Sequence, residues 1–451
     1  MKRHLTVRGL TVLVLALAGI VRAQTNVDVD CSGANPQTFH SINAALNTLS
    51  LVGPNTITVT GTCQENVAVL QRDRLTIQAA PGHAAAIQNA ANPPGITLYI
   101  AGSHNIVLDS LVIEGGAPAL YISDSSSATT VQNCTVENSV ADGFDIDGES
   151  EVLIQNSTIK NNSAVGIFIS NASQLTFGTY PAQRIHITAN GFGGGGNGAG
   201  GLAIDGSQVQ LNFGVLTING NAGAGISMDG GRLQLYGGDA NSPGLIENND
   251  VGLAMTDAAS ATMWSAFRIH NNGSTGISVG GASSITLIST VDSEGHNAVT
   301  TIDGHSTIGL VITGSSAAQI YGPHVITKNG SASADPGSRG GISMGGSSLS
   351  IGSGTVIDSN VGPGIRLFVK SDLNMFDMTV SNNTEEGVIE TNLSGGGFYD
   401  PLTFTGNGGG SLVCDGFSVA YGDVSSIAGV DCKNITSSPG QRPSVRTLKR
   451  N

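Results

Sequence analysis

Aromatic and charged side chains are both scarce in this chain of 451 residues. Phe, Trp and Tyr make up 4% of the sequence and include one tryptophan, while Asp, Glu, Lys and Arg together make up 12%. Sugar grooves rely on aromatic platforms, so this composition lowers the expectation of a carbohydrate enzyme. The formal net charge of −14 argues against nucleic acid and anionic membranes as partners, and against polyanionic glycans unless cations are bound with them.

Apolar runs long enough to cross a bilayer are lacking as well, and none predicts a membrane span. The strongest run, residues 10–20, follows a basic stretch at 2–8 and precedes "VRA" at 21–23, which is typical of a signal peptide. We therefore expect residues 1–23 to be removed on export, leaving a protein that is periplasmic or extracellular. The polar, basic composition of 436–451 predicts a disordered tail.

A glycine recurs along most of the chain and opens each unit of a repeat. The intervals are 23, 35, 24, 27, 24, 33, 32, 23 and 23 residues, and three residues in apolar–variable–apolar order follow each glycine until Glu390 breaks the pattern. A base period near 23 is the signature of a solenoid. The glycines are Gly143, Gly166, Gly201, Gly225, Gly252, Gly276, Gly309, Gly341, Gly364 and Gly387.

Within the repeat at 143–166, apolar and polar side chains alternate in three short runs separated by turn residues. Such alternation indicates half-buried strands. It predicts that the apolar residue opening each first strand faces inward, beginning with Leu120, Phe144, Ile167, Leu202, Ile226, Leu253 and Ile277. Three strands per turn predict an all-β fold over residues 24–435, a single parallel β-helix of about 13 coils, right-handed as parallel crossovers normally are. Asparagines ahead of the glycines predict a hydrogen-bonded file along the stack: Asn138, Asn161, Asn248, Asn271, Asn360 and Asn382.

Over roughly residues 31–410 these features resemble the right-handed parallel β-helix proteins of the pectin-lyase-like superfamily. The stretch "ITVTGTCQENVAVLQRDRLTIQA" at 57–79, which follows a predicted helix, is similar to the opening of many members. The resemblance implies the fold but no single activity, because the superfamily spans lyases, hydrolases, esterases, epimerases and non-enzymatic surface proteins. The catalytic carboxylate motifs of pectin methylesterases and the Gly-His-Gly signature of polygalacturonases are not found in the sequence.

Each end of the predicted solenoid carries a closing feature. Residues 38–49 have helical spacing of apolar residues and predict a short helix, capped by Thr38 or Ser41, over the open first coil. Four cysteines bracket the two ends and predict two disulfides, as suits an exported protein. The fifth, Cys134, falls at an inward place and predicts a buried, unreactive thiol. The bracketing cysteines are Cys31, Cys63, Cys414 and Cys432.

The central residue of each first strand is expected to face outward, and most of these residues are small or apolar. A long catalytic groove needs acids, bases or metal-binding carboxylates, which this row mostly lacks. Long coils at 191–200 and 329–340 should rim the face. Arg366 with Lys370 is either a surface patch or the base of a lyase. The row consists of Tyr121, Asp145, Phe168, Ala203, Ser227, Ala254, Ser278, Val311, Ser343, Arg366 and Ile389.

Aspartates recur in the turn after the first strand. Asp205 and Asp229 belong to successive coils, so their Cα atoms should lie about 5 Å apart, and stacked like charges are unfavourable. Three explanations are open: a repeated Asp-Gly turn, a calcium site drawn from Asp145, Asp147, Asp205 and Asp229, or a catalytic carboxylate pair for glycoside cleavage drawn from the last three. The acids between 142 and 151 form either a solvated face or a metal site.

Two functions stay open at this point. The bare first-strand face favours a secreted monomer that binds polysaccharide or cell-envelope glycan through a solenoid face, without catalysis. The superfamily resemblance and the export signal favour the alternative, an extracellular polysaccharide lyase or glycoside hydrolase. The two differ in whether the aspartates border a groove with an aromatic or cationic wall.

Overall fold

The computed structural model describes residues 24–178, 183–193, 199–212, 214–239, 241–264, 266–291 and 297–436. The predicted signal peptide and nearly all of the predicted tail lie outside these ranges.

The first strands of successive coils stack in parallel, as the repeat predicted. Among the described residues this sheet contains 15 strands, close to the predicted coil number of about 13. They are Val67–Leu70, Leu98–Ala101, Leu120–Ser123, Phe144–Ile146, Val165–Ile169, Gly200–Asp205, Ala224–Asp229, Val251–Thr256, Ile277–Val279, Ile308–Thr313, Gly340–Gly345, Ile365–Phe368, Val388–Glu390, Leu412–Cys414 and Val430–Asp431.

The second and third strands of the coils form two further parallel stacks, joined by long strands that turn the corner between them. The second stack contains Thr25–Asp30, Asp73–Ala79, His104–Asp109, Thr129–Gln132, Glu151–Gln155, Gln174–Phe177, Gln208–Leu211, Arg232–Leu235, Ser260–Trp264, Ser284–Ile288, Ala317–Tyr321, Ser348–Gly352, Val419–Gly422 and Ile435–Thr436. The third contains Ala85–Gln88, Val112–Glu114, Thr135–Glu137, Thr158–Lys160, Arg184–Thr188, Val215–Asn219, Gly244–Glu247, Phe267–His270, Thr301–Asp303, Val325–Thr327 and Val356–Asp358. Three long strands run through both stacks: Val52–Gln64, Asp372–Ser381 and Gly395–Thr405. A short antiparallel pair joins Thr290–Val291 with Asn297–Ala298. Two 3-10 turns lie at Pro336–Ser338 and Val424–Ser426.

The core consists of aliphatic ladders that run along the inside of the three stacks. In the first-strand sheet, the predicted inward residues from Leu120 to Ile277 are at most 1% exposed. Alternation puts every second side chain of a strand inside, and stacking in register brings like residues into contact with those of the next coil. Glu390 breaks this ladder: its side chain is 0% exposed, and burial raises the pKa of its carboxyl well above the usual value.

The file of asparagines exists, but four of its nine members lie one residue later than predicted. In seven of the nine, the side-chain amide donates to the Oδ1 of the next member at 2.9 to 3.2 Å. Of the predicted residues only Asn360 takes part. The other five have φ between 49° and 58°, because they form the left-handed corner that comes just before the file. The file contains Asn162, Asn190, Asn221, Asn249, Asn272, Asn329, Asn360, Asn383 and Asn407.

The repeated glycine is required by this same file. A Cβ at Gly166 would lie 2.7 Å from the carbonyl oxygen of Gly201 and 2.8 Å from Nδ2 of Asn190, closer than real Cβ contacts allow. Between Asn272 and Asn329 the place in the file is taken by His305. Its Nδ1 accepts from the backbone N–H of Asn272 at 3.2 Å, and its Nε2 lies 3.0 Å from the backbone carbonyl oxygen of Ile269.

The N-terminal helix forms as Ile42–Thr48, shorter than the predicted 38–49 because Ser41 caps it by accepting from the Ala44 amide at 3.1 Å. Glu65 of the first coil accepts from the first two helical amides, and Arg72 donates to carbonyls at the helix end. Both charges suit the helix dipole. The apolar side of the helix is buried against the first strands, which closes that end as predicted.

Both predicted disulfides are confirmed, Cys31 with Cys63 and Cys414 with Cys432. Cys134 is free and 1% exposed, and burial raises the pKa of its thiol to about 12, so it is the inert thiol that its inward place predicted. Two disulfides are compatible with an oxidising compartment. None of the described helices has the length and apolarity needed to cross a bilayer.

Candidate functional site

Three aromatic rings and one carboxyl share the outward row near the N-terminal end of the first-strand sheet. Tyr99, Tyr121, Asp145 and Phe168 are paired in register on four successive strands. The two tyrosine rings stack with centroids 5.4 Å apart and planes at 18°, close to the spacing of neighbouring strands. The row predicted from the sequence began at Tyr121, and the register adds Tyr99 to it, so that the rings form one surface.

Asp145 is half-buried between Tyr121 and Phe168. Its Oδ1 is buried without a hydrogen-bond partner among the described residues. Burial, with smaller contributions from the charges of Asp142 and Asp147, raises the pKa of Asp145 to about 7. A carboxyl with such a pKa exchanges a proton near neutral pH, which is a property of general acids and bases.

Asp147, two residues further, has the opposite electrostatic character. Its carboxylate accepts from Tyr121 Oη at 3.1 Å, Ser170 Oγ at 3.1 Å, Asn171 Nδ2 at 2.5 Å and the Gly148 amide at 2.7 Å. Partial burial works against ionisation, but these hydrogen bonds outweigh it and lower the pKa of Asp147. The contact of Asp147 with Tyr121 and the register pairing of Asp145 with Tyr121 show that both carboxyls lie beside the same ring.

A shallow depression of about 390 Å³ begins at Phe168 and extends over the next three coils. It exists because the outward residues there are small: Ala203, Ser227 and Ala254 leave the space that an aromatic ring would fill. Asp205 and Asp229 form one edge. The aspartates therefore border a hollow with an aromatic end wall rather than an isolated convex turn.

Asp205 and Asp229 are register partners on adjacent strands, as the spacing predicted. Both side chains are exposed. A hydrogen bond with Asp257, together with the charge of Asp257, raises the pKa of Asp229, so two of the turn carboxyls compete for ionisation. Asp205, the stacked neighbour, is the smallest of the causes that raise the pKa of Asp229, so most of this effect comes from Asp257 and not from the stacked pair.

The four aspartates proposed as calcium ligands do not gather at one point. Asp145 lies in one strand and Asp147 just after it, while Asp205 is two strand pairings away, a backbone separation of about 10 Å. In the described part of the chain, no three of these carboxylates bring their ligand oxygens within 4.8 Å of one another. Among the described residues, only Cys31, Cys63 and Glu65 bring three such groups within 4.8 Å, and the two sulfurs are in a disulfide. Any cation would be held by one pair or the other.

A cationic cluster lies near the C-terminal end of the same row. Arg339 Nη2 is 2.7 Å from Glu385 Oε1, and Arg366 Nη2 is 3.5 Å from Glu385 Oε2. Lys370, the partner that the sequence predicted for Arg366, is instead exposed at a left-handed position in the following turn. The long coil at 329–340 supplies Arg339 and brings Gly337 against the Arg366 guanidinium, so it rims the face as predicted.

Comparison with known proteins supports the fold. A family model for the right handed beta helix region matches residues 77–263, and no curated protein matches the chain. Pectate lyase Pel9A is similar in structure at 11% identity and a TM-score of 0.35, covering 75% of this chain and 78% of its own.

Two further solved structures have similar values. The catalytic domain of GH87 alpha-1,3-glucanase in complex with tetrasaccharides has 12% identity and a TM-score of 0.26, covering 91% and 67% of the two chains. The PL6 family alginate lyase AlyGC has 11% identity and a TM-score of 0.21, covering 88% and 85%. Similarity at this level carries no information on activity. The stacked parallel strands make the described residues a parallel β-helix, and the family model assigns residues 77–263 to the right-handed class.

Proposed function

We propose that this is a secreted, monomeric β-helix protein that binds an extended polysaccharide or cell-envelope glycan along its first-strand face. The observation that carries the proposal is the unbroken outward row of Tyr99, Tyr121, Asp145 and Phe168, which continues into the depression beyond Phe168. In a chain with 4% aromatic residues, three rings on one external row form a concentrated apolar surface.

The chemistry of the row suits a sugar chain. Pyranose rings have apolar faces that stack on aromatic side chains and hydroxyls that need hydrogen-bond partners. Asp145 and Asp147 supply those partners beside Tyr121, and the small floor residues Ala203 and Ser227 leave room for a further ring. Because the carboxyls lie between and beside the aromatic rings, a bound sugar would make both kinds of contact.

The test is direct binding of purified residues 24–451 to a panel of plant and bacterial polysaccharides, measured by calorimetry and affinity electrophoresis. The double substitution Tyr121→Ala/Phe168→Ala should weaken binding about tenfold to a hundredfold, because each ring contact contributes about 0.5–1.5 kcal/mol. Tyr236→Ala is the matched control, since Tyr236 stacks on Trp264 beside the second stack. Equal loss in both variants would exclude the first-strand face as the binding surface.

A second candidate is catalysis on the same glycan, as a lyase or glycoside hydrolase. The specific observation in its favour is the pairing of Asp145, with a pKa of about 7, and Asp147, with a lowered pKa. A carboxylic acid beside a carboxylate is the arrangement that acid–base cleavage of a glycosidic bond uses. Asp205 and Asp229 are the alternative pair, and a calcium ion bound there would offset the repulsion between their carboxylates.

Incubation with the same panel, with and without calcium, separates the candidates. Chain shortening that Asp145→Asn abolishes would establish an enzyme centred on that residue. Shortening that persists in Asp145→Asn and disappears in Asp205→Asn/Asp229→Asn would assign the reaction to the depression, and unsaturated ends would make it a lyase. Intact polymers that still bind would leave glycan binding as the function.

A further inference from the structure

The cluster of Arg339, Arg366 and Glu385 has more cationic donor groups than it uses. Within the part of the chain that the structure describes, its ion pairs join one nitrogen of each guanidinium to one oxygen of Glu385, and the Arg366 contact is long at 3.5 Å. Arg339 Nε is buried without a hydrogen-bond partner among the described residues. Each guanidinium offers five N–H donors in a planar fork, so one carboxylate leaves most of them available to an additional acceptor.

We propose that this cluster binds an anionic substituent, a carboxylate or a sulfate ester, of an acidic saccharide. Two guanidiniums and one carboxylate have a net charge of +1, opposite in sign to the formal charge of −14 that argues against polyanionic glycans for the chain as a whole. The side chains are only 19%, 20% and 27% exposed, so an anion that enters is partly shielded from water. The planar guanidinium of arginine can donate two parallel hydrogen bonds to a carboxylate or a sulfate-like group, which makes it the side chain best suited to bind such an anion.

The position of the cluster connects it to the glycan-binding face, and the inference rests on that proposed function. Arg366 occupies the same outward row as Asp145, between Ser343 and Ile389. Eight strand pairings separate the two residues, about 38 Å at roughly 4.8 Å each. A glycan extended along the row from the aromatic rings would therefore reach the guanidiniums with its charged substituent.

The rim of the cluster is built for a ligand of limited size. Gly337 of the 3-10 turn Pro336–Ser338 approaches Arg366, since a Cβ there would lie 3.6 Å from Nη1. Ser343, beside Arg366, is 6% exposed and small. Glu385 already occupies one side of both guanidiniums, so a second anion has to bind on the other side and is repelled by Glu385. This repulsion gives the proposal its sharpest test.

The experiment measures calorimetric affinity for three size-matched probes: a galacturonate oligomer, a sulfated galactose oligomer and a neutral glucose oligomer. Arg366→Gln should weaken binding of the preferred acidic probe about tenfold or more, as expected for loss of a charge-assisted hydrogen bond, and Arg366→Lys should recover part of it. Glu385→Gln should strengthen binding several-fold because it removes the competing carboxylate. None of the three should alter binding of the neutral probe, and higher salt should weaken the acidic probes alone.

The outcomes distinguish the cluster from the aromatic face. If Glu385→Gln lowers the melting temperature and leaves acidic affinity unchanged or weaker, the cluster is a structural ion-pair group and the inference is wrong. If the neutral probe binds through Tyr121 and Phe168 while acidic probes bind no better, the proposed function stands and the inference fails. If acidic probes depend on Arg366 but not on the aromatic rings, the inference stands and the aromatic face is the wrong site. A preference between galacturonate and sulfated galactose identifies the anion.

Discussion

The two ends of the outward row differ in chemistry although their backbones follow the same coil. Near the N-terminus the row presents stacked tyrosines, Phe168 and a carboxyl of raised pKa. Near the C-terminus it presents Arg366, paired through Glu385 with Arg339. Inward positions at both ends are almost completely buried and, apart from Glu390, apolar. Stacking therefore constrains the interior of every coil, while the outward positions are free to differ, and functional differences between the ends have to be sought there.

The origin of the two chemistries also differs. Tyr121, Asp145 and Phe168 lie on three successive strands of the basic coil, so strand register alone brings them together. The cationic cluster needs residues from outside the strands: Arg339 comes from the long coil and Glu385 from the turn before the next first strand. Insertions into a solenoid thus add chemistry at the rim without disturbing the stacked core.

Asp145→Asn is expected to have the largest effect of these substitutions on the stability of the protein. The pKa of Asp145 is raised, so its contribution to stability is complete below pH 3.8, its ordinary value, and decreases as pH rises toward about 7. The variant should be more stable than the parent above that range, by about 4 kcal/mol at most, and equal to it at the acidic end. Melting temperatures across this pH window measure the difference.

Glu149→Gln is the control for Asp145→Asn, because Glu149 is an exposed acid four residues away. It should follow the parent at every pH. If the stability of Asp145→Asn depends on pH in the same way as that of the parent, Asp145 is ionised and solvated. The N-terminal end of the row then has no carboxyl of raised pKa to distinguish it from the C-terminal end.

His305→Asn tests whether the interior is as uniform as the comparison assumes, at the coil where the asparagine file is interrupted. Burial lowers the pKa of His305 from its usual 6.5 to about 4. Its contribution to stability is therefore complete above pH 6.5 and decreases as the pH falls from 6.5 toward about 4. Asparagine keeps the file and cannot be protonated. The variant should resist acid unfolding better than the parent, by up to about 3 kcal/mol.

Denaturant unfolding of the His305→Asn variant at several pH values measures this effect. His83→Asn, at an exposed position, should leave the profile unchanged. A loss of stability at all pH values in His305→Asn would show that the histidine ring fills space that the asparagine file elsewhere does not need.

Asp229→Asn should produce the smallest effect, in the depression between the two ends. The hydrogen bond and charge of Asp257 raise the pKa of Asp229, so ionisation of both acids is unfavourable and the variant should be slightly more stable at neutral pH. Differential scanning fluorimetry with and without calcium measures it. If calcium raises the melting temperature of the parent but not of the variant, Asp229 and Asp257 form a cation site. If the variant is less stable than the parent, the two carboxyls do not repel each other.

The sequence predicted the fold well because a solenoid repeats one local rule. The glycine interval gave the coil, the alternation gave the inward residues from Leu120 to Ile277, and four cysteines gave both disulfides. Four of the six predicted members of the asparagine file lie one residue too early. At each of these places two asparagines are adjacent, as at Asn161 and Asn162, and the sequence does not show which of the two enters the file. Only backbone φ distinguishes the left-handed corner from the file.

The candidate sites were less predictable, for reasons that follow from burial and distance. Asp145 looked like one acid among several between 142 and 151, and its raised pKa arises from packing between two rings that are 24 and 23 residues away in sequence. Lys370 was chosen as the partner of Arg366 because it is near in sequence. Arg339 and Glu385 were missed although each lies two residues before a repeated glycine, Gly341 and Gly387, because the predicted rows followed only the strand centres and the turns after them.

By itself the sequence determined that this chain winds into a β-helix, which residues face inward and how the ends are closed, since these depend on period, alternation and cysteine placement. Tertiary structure alone decided which outward residues become neighbours, whether a carboxyl is solvated or buried, and which cations share an anion. The physical reason is that hydrophobic patterning is local and repeats along the chain, whereas desolvation and charge pairing depend on distances across coils that the linear order does not encode.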